Sequence, residues 1–202
     1  ALTAITTLSL RPDAIKAVVA APLPEPILLN PFEPLIPVWF KKITKSIIEI
    51  IFSLFPLKAL INLISRTKLI TYALQSAYHR SIKKDNSLKR IVTFPARRPN
   101  ASKALRAMCL GMSKRSNKIK GPSLLLKIKN LTERPPVLLI WGEKDKLIPL
   151  FLAKKLVKLH PWLKSSVIND AGHCPHDELP KHFNQIVLKW LDINLKTSNK
   201  PI

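Results

Sequence analysis

The sequence predicts an α/β protein, a parallel sheet interrupted by a long helical insertion. Three observations carry this expectation. Two nearly continuous apolar runs, IKAVVAA at residues 15–21 and VLLIW at 137–141, read as strands buried on both faces. Helical spacing precedes the first run and follows the second, the alternation that builds a parallel sheet. Between them, residues 38–129 read as helical and carry 21 Lys and Arg against Glu49 and Asp85 alone, a net +19 of the chain's total +22.

Taken in order, residues 3–10 suit a helix tail that Arg11-Pro12-Asp13 stops. The strand at 15–21 follows. Residues 22–37 hold six prolines, which exclude regular helix or central strand and suggest an extended crossing. Residues 46–65 are the strongest membrane-span candidate. Their twelve Leu, Ile and Phe contribute about −6 kcal/mol on the insertion scale, and Lys58 alone costs about +3. Glu49, Pro56 and Asn62 add to that cost, so the segment reads as a buried or interfacial helical pair over 47–55 and 57–64, broken at Pro56. FPARRPN at 94–100 reads as a loop. Pro135-Pro136 leads into the strand at 137–141, which Gly142 ends. Residues 150–159 read as a helix, 165–168 as a third strand and 172–180 as a polar loop. An amphipathic helix at 181–195 places Phe183, Ile186, Val187, Trp190 and Leu191 on one face.

Composition excludes several classes. A pI near 10.4 points toward nucleic acid, anionic membrane or compositional bias, while 47% hydrophobic residues and a mean hydropathy of +0.09 are enough for a core. Only four glycines occur among 202 residues, at 111, 121, 142 and 172, and no phosphate-cradling loop assembles from those spacings. Cys109 and Cys174 are too few for a disulfide framework. No basic segment followed by an apolar one marks a signal peptide at the start. Nucleic acid is disfavoured because aromatics do not interleave the Lys/Arg runs. The basic region then has two readings: a solvated face reflecting composition, or an amphipathic cap in peripheral contact with anionic membrane.

Chemistry concentrates in two loops beyond the carboxyl ends of predicted parallel strands, where open α/β sheets place their sites. One is WGEKDKLIP at 141–149, the other NDAGHCPHDELP at 169–180. On neighbouring strands, about 4.8 Å apart, a carboxylate of one reaches an imidazole of the other. Such a carboxylate fixes the tautomer and frees the second ring nitrogen to take a proton from a nucleophile. The expected arrangement is 137–140 parallel to 165–168, with 15–20 beside the former and Asp145 in hydrogen-bond reach of His173. An isolated Asp after a strand serves as readily as a helix cap, so the pairing with His173 carries the functional reading. His176 reads as surface or supporting, and Glu143 and Asp177 as solvated. His173, Cys174, His176, Asp177 and His182 lack the spacing of a zinc site. Cys174 reads as a small buried thiol and Ser9 as a helix residue without a nucleophile elbow.

LLIWGEKDKLIP and AGHCPHDELP resemble the acid and histidine loops of the α/β-hydrolases, in the right order and 28 residues apart from Asp145 to His173. RPDAIKAVVAA is similar to the helix end and strand that follow the nucleophile helix of that family. The resemblance implies a partial α/β-hydrolase fold, the C-terminal half of its parallel sheet with an inserted helical lid. It divides the chain into core at 1–21, lid at 22–134, core at 135–195 and a tail at 196–202. It implies that Asp145 is the triad acid, that His173 is the base and then the acid, and that apolar lid helices line the substrate pocket. The APLPEP segment and the long lid are similar to hydrolases of cyanobacteria and plastids, some resembling enzymes that act on chlorophyll-type esters.

One departure matters: no Gly-x-Ser-x-Gly elbow occurs in the chain. The expectation is therefore that nucleophile and oxyanion loop lie upstream of residue 1, and that this chain alone is inactive. The complete protein is expected to cleave an ester or related acyl bond of an apolar small molecule, with no cofactor and no metal. It is expected in the cytoplasm or plastid stroma, peripheral to membrane where the basic lid engages it. The alternatives are a non-catalytic binding protein built on the same pocket, and a basic membrane-surface module with a hydrolase-like scaffold.

Overall fold

The structure, a computed structural model, describes residues 2–21, 56–113 and 121–196. The proline-rich crossing at 22–37 and the helix expected at 47–55 lie outside the described residues. The chain divides into two units. The first comprises Ala1–Leu29, Ser76–Arg80 and Asn117–Ile202, the second Asn30–Gln75 and Ser81–Ser116.

The first unit is built on three parallel strands in the order β1 (Val18–Ala20), β2 (Val137–Gly142), β3 (Lys164–Ile168). Val18 pairs with Val137 and Leu138 with Lys164 in the two ladders. All six residues of β2 are buried, as a continuous apolar run predicts for a central parallel strand. Its side chains alternate between two cores. Val137, Leu139 and Trp141 join Ile5 and Leu8 of α1 (Leu2–Leu10) with apolar residues of two further helices, and Leu138 and Ile140 face the other way. Burying a Leu or Ile side chain of this kind contributes about 1.5–3 kcal/mol.

β1 is shorter than the run at 15–21. Pro12–Ala14 forms a single 3₁₀ turn, and Ile15 closes it by donating its N–H to the Pro12 carbonyl, so pairing begins at Val18. The described helices of the second unit are α2 (Leu57–Arg66), α3 (Leu69–Ala77, whose last two residues belong to the first unit), α4 (Asn86–Ala96) and α5 (Ala101–Ser113). Asp85 caps α4, its carboxylate accepting the Leu88 N–H at 2.9 Å. The loop expected at 94–100 is corrected in its first half, since Phe94, Pro95 and Ala96 complete α4. A proline in the last turn disturbs little, and the Arg97 N–H still reaches the Thr93 and Phe94 carbonyls.

α6 (Gly121–Lys129) lies in the first unit and packs on α1 through Leu124, Leu125 and Ile128. α7 (Leu150–Leu159) buries Leu152, Ala153 and Leu156 in the same core. The predicted polar loop at 172–180 contains a single turn, α8 (Pro175–Glu178), started by the proline. α9 (Pro180–Lys196) covers the opposite face of the sheet with Phe183, Ile186, Val187 and Trp190. Among the described residues no helix is long and apolar enough to cross a membrane.

Candidate active site

The acid loop starts where β2 ends. Gly142 begins a tight turn in which the Asp145 N–H reaches the Gly142 carbonyl at 3.3 Å. The Glu143 N–H donates to Ile168 at 2.9 Å and the Lys144 N–H to Ala171 at 2.8 Å, so the turn is sewn to the chain leaving β3. The Trp141 indole N–H donates to the Ile148 carbonyl at 2.7 Å and fixes the far side of the loop.

Inside this turn the Asp145 carboxylate is fully shielded from solvent. A buried charge is tolerated only when its lone pairs are engaged. Here Oδ1 accepts the N–H groups of Leu147 at 2.8 Å and Ile148 at 2.9 Å, and Oδ2 stands 2.9 Å from Nδ1 of His173. An ionised carboxylate accepts only, so a neutral His173 carries its proton on Nδ1 and presents the Nε2 lone pair. The imidazole is 30% exposed and has an open side. Buried acid, oriented imidazole and a free ring nitrogen can together withdraw a proton from an adjoining hydroxyl.

The histidine loop is held by partners the sequence did not reveal. The His173 N–H donates to the Ala77 carbonyl at 2.7 Å. Glu178 accepts the Gly172 N–H on Oε1 at 2.6 Å and those of His79 and Arg80 on Oε2 at 2.7 and 2.9 Å. Arg80 also pairs with Asp177 at 3.6 Å. Residues 76–80, flanked on both sides by chain of the second unit, thus belong to the support of His173. Glu178 stands about one hundred residues from His79 and Arg80, and no local pattern signals that contact.

The remaining candidates fall into place. Burial pushes the Cys174 thiol above its ordinary value, which keeps it from being a ready thiolate. Burial, and then a hydrogen bond with Asp177, pushes the Tyr78 phenol up. The Ser9 hydroxyl is buried and donates to the Thr6 carbonyl at 2.8 Å within its own helix. His176 packs edge-on against Phe183, centroids 5.9 Å apart. Glu143 accepts the Asp170 N–H at 3.4 Å and pairs with Lys144, so it is more engaged than a solvated residue. Asp177 is partnered by Arg80 rather than solvated alone. No group of three His, Cys, Asp or Glu suited to a metal occurs among the described residues.

No family model matches the chain. Over 61 residues, 30% of this chain, it is 36% identical to bifunctional epoxide hydrolase 2 of Mus musculus. Over 55 residues, 27% of this chain, it is 34% identical to the chloroplastic pheophytinase of Arabidopsis thaliana. Each match spans 11% of the relative's own length. The crystal structure of an alpha/beta hydrolase fold protein from Burkholderia ambifaria aligns over 93% of this chain and 62% of its own, with a TM-score of 0.55 and 18% identity. The fold is therefore that of the α/β-hydrolases. The local sequence matches, each to a hydrolase, agree with that fold.

Proposed function

We propose that the complete protein is a serine-type hydrolase of an ester or related acyl bond in an apolar substrate. The observation that carries this reading is the 2.9 Å contact between the shielded Asp145 carboxylate and His173 Nδ1. Asp145 holds the imidazole in one tautomer. His173 takes the proton of the attacking serine through Nε2 and returns it to the leaving group. The serine and the oxyanion donors would come from sequence preceding residue 1, because no Gly-x-Ser-x-Gly occurs among the 202 residues. The local likeness to a chloroplastic pheophytinase supports a plastid-type relative.

The test is hydrolysis of p-nitrophenyl esters of graded acyl length by the 202-residue chain and by the chain with its upstream sequence restored. The extended protein should turn over ester and lose about 10⁴-fold on Asp145→Asn, the loss a wrong tautomer brings in serine proteases. The 202-residue chain should be no more active than its His173→Ala variant. Turnover by that chain that depends on Ser9 or Cys174 overturns the assignment. An extended protein with the serine replaced and no turnover would instead favour a binding protein built on the same pocket.

A further inference from the structure

Within the described part of the second unit, eleven Lys and Arg stand against a single acid, Asp85, whose carboxylate is engaged in capping α4. The cations are not spread evenly. A cavity of about 460 Å³ is bounded by α2, the turn between α4 and α5, and the start of α5. Five of its lining residues are cationic, Lys58, Arg66, Arg97, Arg98 and Lys103, and none is acidic. A second cavity of about 360 Å³ shares Arg66 and Arg97 and adds Lys89 and Arg90. Among the described residues none of these seven cations has a carboxylate partner.

Two of the guanidinium groups are also held in place. Arg97 donates to the Ser65 carbonyl at 3.2 Å, which pins the interhelical turn onto the end of α2. Arg98 lies over the Phe94 ring, 5.0 Å from its centroid. The first turn of the 13-residue α5 supplies Ser102 and Lys103 at the cavity edge. Like charges gathered around a concave space repel one another unless an anion enters. Arg forks match phosphate oxygens bidentately, and Lys adds point charge. The volume exceeds that of a bare phosphate and lies in the range that takes a small organic molecule.

We propose that this cavity binds a phosphate monoester, its phosphoryl group between Arg66, Arg98 and Lys103 and its organic body along Ile61. The same headgroup chemistry is offered by a soluble organic phosphate and by phosphatidic acid in a membrane, and the experiment separates the two. The whole chain is titrated with phenyl phosphate, observed by ³¹P NMR, and is sedimented with phosphatidylcholine vesicles with and without phosphatidic acid. Three proteins are compared: wild type, Arg66→Gln/Arg98→Gln, and Lys154→Gln/Lys155→Gln, which loses the same charge from α7. Lys103→Gln serves as a second cavity variant, and circular dichroism reports the fold of each.

Saturable phenyl phosphate binding that weakens about tenfold or more in the Arg66/Arg98 variant, and less than about twofold in the α7 control, supports a site for soluble phosphate. Binding only to phosphatidic acid vesicles, with the same variant pattern, supports the lipid headgroup. Equal weakening in the cavity variants and the control, or no binding in either arm, overturns the proposal.

Discussion

Gly142, the last residue of β2, and Gly172, immediately before His173, meet backbone to backbone. A Cβ on Gly142 would collide with the carbonyl oxygens of Gly172 and Ala171. A Cβ on Gly172 would meet the Ala77 carbonyl and the His79 nitrogen, each at 2.7 Å. The absence of side chains at these two positions is what lets the acid loop and the histidine loop lie side by side, and so lets Asp145 reach His173.

Gly142→Ala should therefore act on the pair without touching it. The intruding methyl has only backbone to displace, so the loss should lie at or above the upper end of the about 1–3 kcal/mol typical of overpacking. The midpoint of thermal unfolding should fall by about 2–4 °C for each kcal/mol. Gly111, whose Cβ would meet nothing within 4 Å, is the matched control, and Gly111→Ala should leave the midpoint unchanged or raised. Similar behaviour of the two variants would show that the two loops are not in close contact.

The tautomer of His173 is open to direct measurement. With Asp145 accepting from the ring, long-range ¹H–¹⁵N spectra of the neutral imidazole should show a protonated Nδ1 and an unprotonated Nε2. Asp145→Asn replaces an acceptor with a group that also donates, and the tautomer population should shift toward protonated Nε2. An unchanged spectrum in that variant would mean that Asp145 does not orient the ring.

The pairing of Asp145 and His173 was legible from sequence because each loop follows a short apolar strand and because the strand order places them together. In sequence, Gly142 reads as a strand end and Gly172 as the start of a loop. Their real constraint, the mutual approach of two backbones, needs the fold. Residues 94–96 read as loop because proline suppresses a helix interior, yet it is tolerated in the last turn they form. The apolar run at 15–21 reads longer than β1 because composition does not reveal the 3₁₀ turn that uses Ile15. Glu178 was invisible because its partners, His79 and Arg80, sit in a segment that sequence assigns wholly to the insertion.

His160 gives the first unit a pH dependence of known sign. Its Nδ1 is buried without a hydrogen-bond partner among the described residues, and its ring lies edge-on to Trp162 with centroids 6.2 Å apart. Burial first, and then the charge of Lys129, hold its pKa below the ordinary value. The folded state therefore binds the ring proton less tightly than the unfolded chain, whose histidine titrates near pH 6.5. As pH falls through that value the unfolded state takes up a proton that the folded state refuses, so stability falls with acidification until the folded pKa is reached. Urea midpoints at pH 7.5 and 5.5 should differ less in His160→Gln than in wild type. Equal differences would show that His160 does not contribute.

Glu178 gathers three backbone N–H groups onto one carboxylate, those of Gly172, His79 and Arg80 at 2.6 to 2.9 Å. Two acceptor oxygens with negative charge suit this set, and no neutral side chain of the same shape does. Gln in its place offers one carbonyl oxygen and an NH₂ that repels the N–H groups it faces. Glu178→Gln should thus leave at least one of the three unsatisfied. Hydrogen bonds to charged groups contribute about 1.5–3 kcal/mol, and part of this remains through water at the half-exposed site. The expected result is about tenfold faster hydrogen exchange at the Gly172, His79 and Arg80 amides. Exchange at Leu147 and Ile148, which bond to Asp145, should stay as it is. Because the His173 N–H donates to Ala77, two residues before His79, its protection should fall with theirs. Faster exchange at all of these amides alike would indicate general loosening instead, and unchanged exchange at all of them would mean that Glu178 holds nothing in place.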